Sequence, residues 1–433
     1  EEWRSSATVW LTDGKVPVPG SLICLPALAS TLTRVVEESQ RHGPDRRAVI
    51  QAAISIWHEG FVATEIDAHC RTATRDSSGE RNTGLLRKED MAGWRATLEA
   101  PVTGTYGRFE IAKCGFWSQG PTFLQQMSML RHAELESHKA DSAAFVHRLA
   151  ETAKLTFADR LAWHGTAPAA QLDMQHGLLT DAYGRDRWAL VNASEASRTL
   201  LPGLPLGSAA RLPDLSVSAR TLASADTRFG VGEPTFQTLP PVVEWADREL
   251  FVGDTCHIDV IDRHGNMVAL GFALGTRLQM TWLDESLPNT LTPHIAPCTT
   301  LSPTMVMRDG EPYMALGTPG GDQQDQWQTA FFVRHAVHGM NLQEAVDAPA
   351  FHVKHYPSSF WPRSTTLNRL SIESRFSVDV LNQLRDWGHE VVVGDPWSES
   401  RICAATRVRD KRGRLVLRAA ASPRGMQGYA VGR

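Results

Sequence analysis

The chain has 433 residues, of which 42% are hydrophobic and 21% charged, enough apolar material for a sizeable core and too much for a disordered chain. Forty-four Lys and Arg against 48 Asp and Glu leave a formal net charge of −4, which lacks the basic footprint of a general nucleic-acid binder. No apolar run approaches the roughly 18–20 residues of a membrane span. The six cysteines, Cys24, Cys70, Cys114, Cys256, Cys298 and Cys403, contain no C-x-x-C pair. They read as reduced, buried thiols rather than a zinc ribbon or redox motif. The opening Glu1-Glu2 has no initiator Met and no secretory n- or h-region, so a removed leader or further upstream sequence is expected, with a cytoplasmic location.

In chain order, Val16-Pro-Val-Pro-Gly20 is a stiff entry segment. Apolar residues at helical spacing predict helices over 26–38 and 47–58, followed by a polar exposed loop over 67–83. A short helix over 88–94, a strand over 104–113 and a helix over 122–130 come next. The stretch 142–162 is a long helix with Ala144, Val146, Leu149, Ala153 and Phe157 towards one side. Between 200 and 241 the pattern dissolves into Pro, Gly, Ser and Leu, which marks the best candidate for an internal boundary.

Beyond it, alternating segments and Asx/Gly turns predict three hairpins: 257–262 with 267–274, 304–308 with 313–316, and 406–409 with 415–419. Helices fall between them. One runs over 326–338, one follows an Asn341/Glu344 capping box and stops at Pro349, and one over 378–387 is capped by Ser377 with Gly388 beyond it. Helices inserted between antiparallel pairs imply an α+β layered architecture.

Several motifs are absent: there is no P-loop, dinucleotide fingerprint or H-E-x-x-H. His132 and His138 are spaced wrongly for one helical face and read as solvated surface. Gly115-Phe-Trp-Ser118-Gln-Gly120 misses the nucleophile elbow by one glycine, so Ser118 reads as a turn or cap residue. His335, His338, His352 and His355 read as surface or core histidines, and Trp361 and Trp397 as packing residues. Three features remain. Asp254-Thr255-Cys256-His257 opens a strand, and Thr299-Thr300-Leu-Ser-Pro-Thr304 enters another. Gly317-Thr-Pro-Gly320-Gly321 leads towards a helix start, where backbone N–H groups suit an oxyanion. A Thr hydroxyl is a weak nucleophile unless an adjacent base, such as its own N-terminal amine, activates it.

With those features in order, residues 84–160 and 253–433 resemble the gamma-glutamyltransferase group of N-terminal nucleophile hydrolases. The first region carries Gly84-Leu-Leu-Arg-Lys-Glu-Asp90, Pro101-Val-Thr-Gly-Thr-Tyr106 and Ala153-Lys-Leu-Thr-Phe-Ala-Asp-Arg160. The second carries Asp254-Thr-Cys-His-Ile-Asp-Val-Ile-Asp262 with Gly265-Asn266, then Thr300-Leu-Ser-Pro-Thr304, Gly317-Thr-Pro-Gly-Gly321 and Met340-Asn-Leu-Gln-Glu-Ala-Val-Asp-Ala-Pro349. The resemblance implies a four-layer αββα sandwich. It also implies a precursor that cuts itself between Asp254 and Thr255 into portions 1–254 and 255–433, which together form one composite domain and a heterodimer.

By the same resemblance Thr255 is the nucleophile and Gly320 and Gly321 supply the oxyanion hole. Thr299 and Thr300 stand where the family has a serine pair that holds the donor's carboxylate. The partner is a small-molecule amide, with no cofactor, metal, nucleic acid or membrane. Asp322 at the following helix start reads either as a dipole-favouring acid or as a substrate contact. Cys114-Gly-Phe-Trp-Ser-Gln-Gly-Pro121 and Gly320-Gly-Asp-Gln-Gln-Asp-Gln-Trp327 are closer to a divergent branch of the family.

Departures are equally specific. Ala273 and Gly275 occupy positions where the family has a hydroxyl residue and an Asn, and Asp284 or Glu285 is left to grip a donor amino group. The family's opening segment, with its carboxylate-binding arginine, is not visible before Val16. Three functions are therefore expected as alternatives. The first is a gamma-glutamyl or related amidohydrolase or acyltransferase. The second is the same machinery retuned to an oxalyl-type amide or to C–C hydrolysis. The third is an uncleaved, silent homologue.

Overall fold

The computed structural model describes residues 3–18, 20–75, 80–166, 169–207, 209–216, 255–273, 280–293, 295–360, 363–426 and 428–432. They form two compact units that divide between Glu99 and Ala100. Most of the 200–241 stretch, Asp254 and Trp361 lie outside the described residues.

The first unit is helical: α1 (Arg4–Trp10), α2 (Pro26–Gln40), α3 (Arg46–His58), α4 (Phe61–Cys70) and α5 (Lys88–Gly93), with a small ladder of β1 (Thr74–Arg75) and β2 (Arg81–Asn82). Asp45 caps α3 by accepting from the Ala48 amide, and Pro26 opens α2 where no N–H is needed. The segment expected as a polar loop over 67–83 is thus partly helix and partly ladder. The difference has a local cause: α4 opens on the apolar Phe61-Val-Ala, with Val62 and Ala63 buried, and its polar end continues the same helix to Cys70.

The second unit holds the core. A six-stranded antiparallel sheet runs in the order β13-β12-β8-β7-β4-β3, from β3 (Val102–Tyr106), β4 (Phe109–Lys113), β7 (Thr304–Arg308), β8 (Glu311–Gly317), β12 (Cys403–Arg409) and β13 (Leu415–Ala421). The single strand expected over 104–113 is two strands, because Gly107 takes φ 56° and turns the chain back. The separate hairpin β5 (Thr255–Ile261) and β6 (Met267–Ala273) packs on β8 and β12. All three hairpins expected from turn chemistry form. Asp262 accepts from the His264 and Asn266 amides, Asp410 does the same for Arg412 and Arg414, and Asp309-Gly310 has both residues at positive φ.

Helices pack on the large sheet: α6 (Gly120–Leu130) on β3 and β4, α10 (Gln324–Ala336) on β8 and α11 (Leu342–Asp347) on β13. In turn α7 (Ala143–Trp163) packs on α6 and α10, α9 (Asp181–Trp188) on α6, and α12 (Val378–Asp386) on α7 and β11, while α8 (Ala169–Gly177) lies against the 205–207 turn. Phe109, Phe123 and Phe332 meet edge to face between sheet and helices, with centroids 5.4 and 5.9 Å apart. A third sheet, β9 (Phe351–Val353), β10 (Arg369–Glu373) and β11 (Glu390–Gly394), pairs β10 antiparallel to β9 and parallel to β11. This α+β arrangement has the helix–sheet–sheet succession expected of the αββα sandwich.

The long helix α7 is buried nearly all round rather than along one side. Its polar residues are compensated. Glu151 pairs with Lys154 at 2.6 Å, Lys154 also reaches Asn368 Oδ1 at 2.5 Å, and Asp159 accepts from Arg187 and Tyr183. No disulfide forms among the six cysteines, and only Cys298 is fully buried, so the expectation of buried thiols is corrected for the other five. No helix among the described residues is long and apolar enough to cross a membrane.

Candidate active site

Thr255 is the first residue of β5. The inward face of that strand carries Thr255, His257, Asp259 and Ile261, and the outward face carries Cys256, Ile258 and Val260. Period-two alternation therefore puts Thr255 on the same side as His257. The imidazole of His257 is stacked over the backbone of Gly317, the last residue of β8, and its Nε2 is 2.9 Å from Asp259 Oδ1. Beside it, Gly271 of β6 lies against Leu301 and Pro303. The hairpin thus holds the start of β5 on the end of the large sheet from which the 317–321 loop leaves. The cross-strand partner of Thr255 is Ala273.

Gly320 has φ 126°, in a region that favours glycine, and a Cβ there would fall 3.1 Å from Trp327 Cζ3. Gln324 holds the carbonyl of Gly320 through its side chain and that of Gly321 through its amide at 3.2 Å. Both glycines are buried. Among the described residues, no acceptor meets the N–H of either. Two oriented donors at the start of α10, where the helix dipole is positive, are what a developing oxyanion requires.

Thr299 and Thr300 are both buried at the entry to β7. The Thr299 amide donates to the Trp117 carbonyl at 3.0 Å, and its hydroxyl accepts from the Leu301 amide at 3.1 Å. Asp322 has its carboxylate spent on protein partners. It accepts from Arg160 Nη1 at 2.7 Å, from the Ser359 amide at 2.8 Å and from Ser359 Oγ at 2.5 Å. That is the arrangement of a positioning residue, holding Arg160 and the 357–360 segment together. Ser118, read as a turn residue, accepts from the Gly120 amide and donates to the Gly115 carbonyl.

The start of α10 is fixed from below by a buried polar cluster. Lys113 reaches Asp325 at 3.1 Å, Ser302 Oγ at 2.7 Å and Thr304 Oγ1 at 2.6 Å, and Ser302 donates to Asp325 Oδ1 at 2.5 Å. Burial pulls the Lys113 ammonium down and pushes the Asp325 carboxyl up, against their mutual attraction. Gln119 links this floor to a neighbouring cleft. Its amide approaches the Gly321 carbonyl at 3.5 Å, while its carbonyl accepts from Arg160.

The cleft beside Gln119 is lined by Arg160, Arg363, His164, Thr299, Trp117 and Trp282, among others. Of these, only Thr299 was singled out from sequence, and Arg160 appeared inside a motif without a role. His164, Arg363 and Trp282 carry no local signal that separates them from ordinary packing residues.

One further trio, His147, Glu151 and His389, brings three potential metal-ligating atoms within 4.8 Å. Glu151 already has the ammonium of Lys154 as its cation, and His147 Nδ1 is 2.8 Å from His389 Nε2. His335, His352 and His355 are likewise engaged in structural contacts, with Tyr313, Glu399 and Thr199 respectively.

The gamma-glutamyltranspeptidase family model matches residues 1–432. The chain belongs to that family. Against the glutathione hydrolase-like YwrD proenzyme of Bacillus subtilis it is 27% identical, covering 99% of this chain and 69% of that protein. Against the oxamate amidohydrolase proenzyme of Klebsiella pneumoniae it is also 27% identical, covering 98% and 68%. A solved structure described as LmbA2991HD is 45% identical, with a TM-score of 0.84, over 100% of this chain and 72% of that one. The chain spans 69% of the length of the YwrD relative and 43% of that of an acylase proenzyme from Pseudomonas that it also matches.

Proposed function

We propose that this family member is an amidohydrolase that matures by scission of the Asp254–Thr255 bond, and that the portions carrying residues 1–254 and 255–433 stay associated. The freed amine of Thr255 takes the proton from its own hydroxyl, and the hydroxyl oxygen attacks the carbonyl of a carboxylated amide. Negative charge collects on the carbonyl oxygen, where the Gly320 and Gly321 N–H groups receive it. Collapse expels the amine, and water or an acceptor amine releases the acyl group from Thr255.

The observation that carries this reading is the position of Thr255. It opens a strand on the inward face, two residues from an imidazole seated on the end of β8, the strand that leads into two N–H donors that meet no acceptor among the described residues. A cytoplasmic site of action fits the absence of disulfides among the described cysteines.

A specific observation favours retuned specificity over plain gamma-glutamyl transfer. The partner of Thr255 across the hairpin is Ala273, which has no hydroxyl to offer the nucleophile. The oxamate amidohydrolase relative makes a short oxalyl-type amide the first alternative donor to try.

Intact mass of the purified protein tests the main reading. Two polypeptides are expected from wild type and one from Thr255→Ala, with activity only in the former. A wild type that stays whole and still turns over an amide overturns it. A chromogenic gamma-glutamyl anilide compared with oxamate then separates the two specificities.

A further inference from the structure

We propose that Thr318 and Gln324 are positioning residues of the oxyanion hole, each gripping the carbonyl of a peptide unit whose N–H is one of the two donors. This rests on the reading of Thr255 as an acylating nucleophile and deepens it, because it names the side chains that aim Gly320 and Gly321 at the developing charge.

A trans peptide unit is planar, with its C=O and N–H on opposite sides, so fixing one end aims the other. The Gly320 N–H shares its unit with the Pro319 carbonyl, and the Gly321 N–H shares its unit with the Gly320 carbonyl. Both carbonyls are held. Thr318 Oγ1 donates to the Pro319 carbonyl at 2.8 Å, and the side-chain amide of Gln324, the first residue of α10, donates to the Gly320 carbonyl. The next carbonyl, that of Gly321, accepts from the Gln324 backbone amide at 3.2 Å. Three consecutive carbonyls are thus turned onto protein donors. The N–H groups of the first two units meet no acceptor among the described residues, which leaves them for a ligand.

Such clamps answer a weakness that two adjacent glycines bring. Glycine has the widest backbone freedom of any residue, and Gly320 at φ 126° lies where few others settle. A flip of the 320–321 unit would present a carbonyl oxygen to the oxyanion in place of an N–H, turning attraction into repulsion. Donors held in place beforehand need no rearrangement when the charge forms, and that is the source of their catalytic effect. A carbonyl that already accepts a hydrogen bond also polarises its unit, strengthening the N–H at the far end by about 10–30%.

Both side chains are committed to this loop. Thr318 is 1% exposed and Gln324 2%, so neither the hydroxyl nor the amide serves solvent. A buried amide is unfavourable without a partner, which ties the Gln324 side chain to its carbonyl. Its stem packs against Gly320, with Cγ 3.7 Å from the place a Cβ would take, and Trp327 closes the other side at 3.1 Å. Neither residue is charged, so they set the direction of the donors without competing with them for the anion.

Hydrolysis of p-nitrophenyl acetate, an activated ester that needs no particular donor group, tests the proposal, with Thr255→Ala as the blank. Gln324→Met keeps the volume of the side chain and loses its N–H. It should lower Thr255-dependent release of p-nitrophenolate by about 10- to 100-fold at every pH. Gln324→Glu separates aiming from packing. A buried carboxyl stays neutral at low pH and donates its O–H to the Gly320 carbonyl, whereas the ionised form repels that oxygen. Its rate relative to wild type should therefore fall by about ten-fold between about pH 5.5 and about pH 8.5, while the ratio for Gln324→Met stays flat. Thr318→Val should lose about ten-fold, and Thr318→Ser, which retains the hydroxyl, less than about three-fold.

Wild-type rates in Gln324→Met, or the same flat ratio in the Glu and Met variants, overturn the clamp. Equal rates of the Val and Ser variants at position 318 do the same even where the Gln324 variants fail to fold. Intact mass on the same samples separates the two readings. Cut chains with Thr255-dependent release and unmoved variants remove the clamp and spare the nucleophile. Whole chains without Thr255-dependent release remove the nucleophile and the clamp with it.

Discussion

His257 lies directly on Gly317: a Cβ built on that glycine would fall 2.1 Å from His257 Cε1 and 2.5 Å from both ring nitrogens. The contact joins the strand that begins with Thr255 to the strand that ends at the Gly320–Gly321 loop. Gly317→Ala is therefore expected to force the two sheets apart, at about 1–3 kcal/mol or more in urea denaturation. Self-cleavage, followed by mass, should slow in parallel. Adding His257→Ala should recover part of the stability, because the two changes share one contact and are not additive. Independent, additive effects would remove the link drawn here between the sheets.

Arg424 donates to Glu373 Oε1 at 2.7 Å, with both side chains wholly out of water, and also to the carbonyls of Val346 and Ala348 at the end of α11. Arg424→Met removes the buried cation and leaves Glu373 only the partly exposed Arg375, 3.2 Å away, as a counter-charge. A loss of about 3–5 kcal/mol in unfolding free energy is expected. The double substitution Glu373→Gln with Arg424→Met should cost less than the single change, and a larger loss would contradict the pairing.

Asp322 holds Arg160 and Ser359 at once. Asp322→Asn keeps an acceptor for Ser359 and discards the charge facing Arg160. The expected result is a loss of about 1–3 kcal/mol in stability with self-cleavage retained. For an amide substrate KM should rise more than kcat falls. A selective collapse of kcat with KM unchanged would make Asp322 a participant in the chemical step instead.

Three histidines are buried and neutral. Desolvation is the largest cause in each case, carrying His164 to about 3, His355 to about 4 and His389 to about 2. Below an unfolded value near 6.5 the unfolded chain binds protons that the folded chain refuses, so stability is full above about pH 6.5 and falls as pH drops towards those folded values. Each histidine adds up to about 1.4 kcal/mol per pH unit to that slope. Denaturant midpoints measured between pH 7 and pH 4.5 should fall across the whole interval, and His355→Gln should flatten the curve. A midpoint independent of pH down to 5 would contradict the burial of these rings.

The local elements of this protein were readable from its amino acids because their causes are local. Asp262 and Asp410 close hairpins through bonds within four residues, Asp309-Gly310 does so by two adjacent residues at positive φ, and Ser142, Asn341 with Glu344, and Ser377 cap helices across three. Ordered motifs around Thr255 and Gly320 were readable for the same reason, since each is a short run whose chemistry is intrinsic to its own backbone.

Sheet order, the parallel pairing of β10 with β11 and the burial of α7 on every side came only with the tertiary structure. So did the cleft. Gln119 meets Arg160 across 41 residues, Arg160 meets Asp322 across 162, and Arg363 meets Thr281 across 82. Such partners are chosen by packing, and packing depends on which surfaces the whole chain brings together.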